Sequence, residues 1–144
     1  MSRIALVTLV VPDHDEAIAF YTGPLAFDLV EDEPRPGGGR WVVVRPRGAD
    51  EGSGLLLARA KNEAELARVG DQTGGRVAFF LHTEDFAGDY ARMRAAGVTF
   101  LEEPRHETYG SVVVFQDPWG NRWDLLQPAA PADPATPADQ EPTA

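Results

Sequence analysis

Apolar residues fall in short runs separated by polar stretches, and the spacing inside and between the runs changes along the chain. Val7-Thr8-Leu9-Val10-Val11 is a near-continuous apolar run of strand length, closed by Pro12-Asp13. Asp13 stands three residues before Glu16, the spacing with which an acidic side chain satisfies an orphan N–H at a helix start, and a helical pattern follows through Phe20-Tyr21. Three β-rich runs broken by Gly and Pro come next, among them Val42-Val43-Val44 and Leu55-Leu56-Leu57. The same succession then recurs. Val77 to Leu81 predicts a strand. A helix opening at Thr83 or Asp85 places Phe86, Tyr90 and Met93 on one face and stops at Gly97, and further β-rich runs include Val112-Val113-Val114.

The recurrence is an internal repeat. An offset of 70 carries Val7–Val11 onto Val77–Leu81, Glu33-Pro34 onto Glu103-Pro104 and Val42–Val44 onto Val112–Val114, and an offset of 68 carries Leu55–Leu57 onto Trp123-Asp124-Leu125. Each copy reads strand, helix, strand, strand, strand. The expected fold is therefore α+β, built of two βαβββ modules at 1–60 and 75–127. Residues 61–74 link them, with one short helix from Glu63 to Arg68 ended by Gly70. From Pro128 the chain is Pro, Ala and acid with no bulky apolar residue, so 128–144 is expected to be a disordered tail. Gly37-Gly38-Gly39 precedes a strand rather than a helix and predicts a flexible connection, not a phosphate cradle.

Length and charge narrow the function. With 144 residues the chain has room for one domain or two small modules sharing a core, and its net charge of −10 has the wrong sign for a nucleic-acid partner. It has no cysteine, which removes disulfides, thiolate metal sites and thiol nucleophiles and suits a reducing cytoplasm. Ile4 to Val11 is far shorter than the roughly 20 residues that span a bilayer, so no membrane partner is expected. Ser2, Ser53 and Ser111 carry no nucleophile-elbow signal.

The paired modules, the run Phe20-Tyr21 leading to Gly23-Pro24-Leu25-Ala26-Phe27, and the final Phe115-Gln116-Asp117-Pro118-Trp119-Gly120-Asn121-Arg122-Trp123-Asp124-Leu125 together resemble the vicinal-oxygen-chelate superfamily of glyoxalases, bleomycin-resistance proteins and extradiol dioxygenases. The resemblance spans residues 3–127. It implies sheets curled into a cup, homodimerisation, and a divalent metal held by one inward side chain on the first and last strand of each module. The D-P-W-G-N run also has a local reading: Asp117 and Pro118 set a turn, Gly120 permits positive φ, and Asn121 bonds its own backbone.

Carried onto this chain, the resemblance places Leu6, Arg76, Leu56 and Asp124 at the four metal positions. Leucine has no lone pair, and a guanidinium stays protonated and cannot coordinate. It would also repel a divalent ion at roughly 4 Å by about 8 kcal/mol at an effective dielectric near 20. The expectation is that no metal and no other cofactor is held, and that Arg76 and Asp124 face each other, either as a structural salt bridge or with Arg76 open to an anionic ligand.

Strand alternation puts Leu6, Thr8 and Val10 on one face and Arg76, Ala78 and Phe80 on one face, which predicts an apolar cup lined by Leu6, Val10, Leu56 and Phe80. Arg105, His106, Glu107 and Tyr109 are expected in a loop over the cup mouth, offering an anion anchor, a proton shuttle, a base and a phenol. His14 is read as a solvated helix residue and His82 as a strand-end residue; Gln72 and Trp41 are weaker cavity candidates. The leading expectation is a protein that binds a small aromatic or anionic molecule. The alternative is a lyase, isomerase or dioxygenase-type enzyme, acting without metal through Arg76 and the loop residues or with a divalent metal.

Overall fold

A computed structural model describes residues 1–130. The chain divides into two compact units, Met1–Gln72 and Thr73 onward. Among the described residues no helix is long and apolar enough to cross a membrane.

In the first unit β1 (Leu6–Val11) leads into α1 (His14–Thr22), followed by β2 (Phe27–Pro34), β3 (Arg40–Pro46), β4 (Gly54–Arg59) and the one-turn α2 (Glu63–Leu66). The sheet order is β1-β4-β3-β2, with β1 and β4 parallel and the other pairs antiparallel. Asp13 caps α1 by accepting the Glu16 N–H at 2.9 Å, as its spacing predicts. Leu9, Val11, Val42, Val44, Leu55 and Leu57 turn one sheet face toward α1, whose Ala17 and Tyr21 are buried. The opposite face carries no helix. It presents Leu6, Thr8 and Val10 of β1 beside Leu56 of β4 and Val43 of β3.

The second unit repeats this path. β5 (Val77–His82) and α3 (Phe86–Ala95) precede β6 (Thr99–Phe100), β7 (Arg105–Glu107), β8 (Gly110–Gln116) and β9 (Arg122–Pro128). The order is β5-β9-β8-β6, with β7 also paired to β8. The stretch equivalent to β2 is thus split in two around Pro104, which has no N–H for a ladder. Phe79 stacks against Trp123 at 4.5 Å between ring centroids, and Phe115 against Trp123 at 5.9 Å, on the face toward α3. Asp85 caps α3 through the Gly88 N–H, and Gly97 closes it at φ 87°.

The repeat is real but slides. The two helix caps, Asp13 and Asp85, lie 72 residues apart, not 70. In the first sheet Leu6 pairs with Gly54, whereas the residue 68 positions beyond Gly54, Arg122, pairs with Val77, and a bulge between Val77 and Phe79 then moves the register again. A slip of two residues preserves strand parity, so apolar residues still match apolar residues and the sequence offset looks right. Its consequence is local: Arg76 falls before the strand.

Two boundaries also move. Pro128 ends β9, where it pairs with Gly110, instead of starting a tail; the expectation of disorder beyond it lies mostly outside the described residues. Gln72 belongs to the first unit. It straps the free edge of β1, its Oε1 accepting the Val10 N–H at 3.0 Å and its Nε2 donating to the Val10 carbonyl at 2.7 Å, rather than lining a cavity.

Candidate functional site

On the helix-free face of the second sheet, β9 sets Asp124 between Phe80 of β5 and Val114 of β8. Leu126 and Val112 continue the same face and are buried. Asp124 itself is 0% exposed, and among the described residues neither carboxylate oxygen has a hydrogen-bond partner. Burial pushes its pKa up to about 6, opposed by the positive charge of Arg105 and reinforced by the negative charge of Glu102. Phe80, its register partner, is 45% exposed.

Arg105 stands on the same face because β7 pairs it with Val112. Its Nε donates to both carboxylate oxygens of Glu102, at 3.1 and 3.2 Å, and its Nη1 reaches Glu107 and the Tyr109 hydroxyl at 3.4 Å. Glu102 Oε2 also accepts the Val114 N–H at 3.1 Å, which ties this cluster to the strand beside Asp124. The result is an apolar strip with one unpartnered buried acid and, next to it, an arginine held by two acids and a phenol.

The sequence-predicted residues divide accordingly. Arg105, Glu107, Tyr109, Phe80 and Asp124 come together around the second sheet's helix-free face; Leu6 and Leu56 lie on the corresponding face of the first unit. Arg76 does not join them. It is exposed in the turn before β5, where its carbonyl accepts from the Thr73 hydroxyl at 2.7 Å, and the cation acting on Asp124 is Arg105, so the expected Arg76–Asp124 pair is not formed. His106 is also misplaced by the sequence reading. The stretch 105–107 is a strand, and alternation turns His106 to the side of α3, its Nδ1 2.9 Å from Ser111 Oγ and its ring 6.3 Å from that of Phe86.

His14 is not the solvated residue expected of a first helical turn. Its Nε2 is shielded and without a partner, and its pKa is lowered by burial first, then by the charge of Arg40. His82 is exposed at the end of β5. Trp41 donates its indole N–H to Glu31 at 2.6 Å and carries the Arg35 guanidinium 4.6 Å above its ring. Glu102 and Arg45 were missed. Glu102 sits in a bend with no local signal, and Arg45 is legible only once β3 is known to place it on the face of Val43.

The donor set does not fit the divalent ion that the fold family implies. Of the four positions only Asp124 brings an oxygen, and no three His, Cys, Asp or Glu residues stand together among the described residues.

Paired βαβββ units, each with a helix packed on one face of its sheet, define the fold class of this chain. This chain belongs to the Glyoxalase/Bleomycin resistance protein/Dioxygenase superfamily, whose model matches residues 3–125. It is 50% identical over 125 residues to an uncharacterized protein of Shewanella frigidimarina, spanning 86% of this chain and 92% of the relative. Among solved structures it resembles UcmS2, at 32% identity and TM-score 0.76 over 88% of this chain and 98% of that one. It also resembles TnmS3, an antibiotic binding protein from Streptomyces sp. CB03234, at 32% identity and TM-score 0.71 over 90% of this chain and 98% of the other.

Proposed function

We propose that the chain is a metal-independent binding protein for a small, largely apolar organic molecule, held on the helix-free sheet faces with a donor group directed at Asp124. The observation that carries this reading is Asp124 itself, a buried carboxyl with two unpartnered oxygens set between Phe80 and Val114. An unmade hydrogen bond to a buried acid is costly, on the order of 1–3 kcal/mol, and a ligand N–H or O–H would recover it. The likeness to TnmS3, an antibiotic binding protein, supports an antibiotic-like molecule as the ligand.

One feature favours a second reading, a metal-free acid–base enzyme. A carboxyl with a pKa near 6 is placed to exchange protons near neutral pH. Binding and turnover are separated by whether the bound compound is recovered unchanged.

The test is a thermal-shift screen of the full chain against small aromatic antibiotics and simple aromatic acids, repeated on Asp124→Leu and Phe80→Ala. Binding to the native state raises Tm with ligand concentration. A saturable shift that both variants weaken is the expected result. No shift with any compound, or shifts indifferent to both substitutions, overturns the reading.

A further inference from the structure

The first unit's helix-free face carries an arginine. Arg45 lies on β3 two residues from Val43, which pairs with Leu56, so its side chain leaves the sheet on the face of Leu56 and Leu6. Gly54 of β4 lies beneath it. A Cβ at Gly54 would come within 3.1 Å of Arg45 Nε, 3.2 Å of its Cγ and 3.2 Å of Leu6 Cδ2. No positive φ demands glycine at this position, so the missing side chain serves space: it lets the arginine lie flat across the strand against leucine.

Among the described residues the guanidinium has no hydrogen-bond or ion-pair partner. Its Nε is shielded from solvent without a hydrogen bond, and the residue is only half-exposed. The acid opposite it in register, Asp28, is committed elsewhere, with Oδ2 accepting the Gly48 N–H at 3.1 Å and Oδ1 3.9 Å from Arg47. By contrast Arg40 is held by Asp15 and Asp32, and Arg105 by Glu102 and Glu107. In a chain with 23 acids and 13 bases, an arginine left unpaired among Leu6, Thr8, Val43 and Leu56 is placed for an acid from outside.

We propose that Arg45, laid over Gly54 against Leu6, is the anion-recognising residue of the first unit's helix-free face, and that the ligand is a flat apolar molecule carrying an acidic group. This rests on the reading of these faces as ligand-binding surfaces. Carboxylate, sulfonate and phosphate share the required chemistry, two or three acceptor oxygens for the guanidinium fork.

Two dyes with one skeleton test it: anilinonaphthalene sulfonate and its uncharged parent, N-phenylnaphthylamine, titrated by fluorescence at low salt into the full chain. The wild type is expected to prefer the sulfonate by about tenfold, the size of one charge-assisted contact. Arg45→Leu removes that preference while keeping the uncharged dye. Arg45→Lys keeps part of it, and Gly54→Ala, by displacing the guanidinium, lowers the sulfonate alone. Arg59→Leu, elsewhere in the same unit, changes neither.

If both dyes bind and the preference is absent, or survives Arg45→Leu, the assignment of Arg45 is overturned while the binding face stands. If neither dye binds saturably to the folded wild type, both this inference and the function it rests on fall.

Discussion

Leu56 and Asp124 occupy the same place in the two sheets. Each lies on the last strand of its unit, paired on one side with the first strand (Thr8 or Phe80) and on the other with the preceding strand (Val43 or Val114). One is a leucine and the other a buried carboxyl without a hydrogen bond. Replacing an apolar residue by an unpartnered acid at one of two equivalent sites costs stability.

The cost depends on pH. Asp124 has a folded pKa raised from 3.8 to about 6, so its neutral form is the one the fold tolerates. Below pH 4 the carboxyl is protonated in both folded and unfolded chains and takes nothing from stability. As pH rises from about 4 to about 6 the unfolded chain ionises while the folded chain keeps its proton, and roughly 2–3 kcal/mol is lost, constant above that range. Asp124→Leu is expected to unfold at higher urea concentration than wild type at pH 8 and to converge with it near pH 4. Parallel curves across that range would show that the acid is not strained.

Gln72 is expected to be worth far more than a residue after a helix usually is. Its amide makes both hydrogen bonds that a neighbouring strand would make to Val10. Gln72→Ala should cost about 1–2 kcal/mol in urea unfolding and speed hydrogen exchange at the Val10 amide more than at Leu9. Unchanged exchange at Val10 would mean that solvent replaces the amide at no cost.

How far the sequence was legible follows from the same residues. The two modules, both helix caps and the buried turn at Asp117 were readable because local patterns encode them: apolar parity, an acid at a helix start, a glycine at positive φ. Arg76 was misjudged because parity survives a two-residue slip, and only the pairing of Val77 with Arg122 reveals that the strand begins after it. His106 was misjudged because three residues, 105–107, are too short a strand to announce themselves between Pro104 and Gly110. Arg45 carries no local signal at all; its meaning comes from a glycine on another strand.

His14 should titrate below the ordinary imidazole value. Burial is the larger cause and the charge of Arg40 the next, while a hydrogen bond with the Leu57 backbone works the other way. Since Nε2 has no partner, that bond falls to Nδ1, leaving a neutral ring with its lone pair on Nε2. Because the folded pKa is depressed, the unfolded chain takes up the proton first as pH falls below 6.5, and folding stability declines there. Following the imidazole resonances by NMR, the His14 midpoint should lie below 6.5 and rise on Arg40→Leu without reaching the ordinary value. A midpoint at or above the ordinary value of 6.5 would contradict the burial.

The turn before β9 should be the most fragile polar feature in the second unit. Asp117 is 1% exposed; its Oδ1 accepts the Trp119 and Asn121 N–H groups at 3.1 and 2.9 Å, and its Oδ2 accepts from the Asn121 side chain at 2.7 Å. Gly120, at φ 105°, turns the chain so that these donors converge. Asp117→Ala strips three buried donors of their acceptor at once and is expected to cost roughly 3–5 kcal/mol, whereas Asn121→Ala removes one bond and should cost about 1–2 kcal/mol. Because the turn sets the register of β9, and with it the position of Asp124, the first variant should also lose binding at temperatures where it is still folded. Equal losses of stability from the two substitutions would mean that the backbone, not the Asp117 carboxylate, holds the turn.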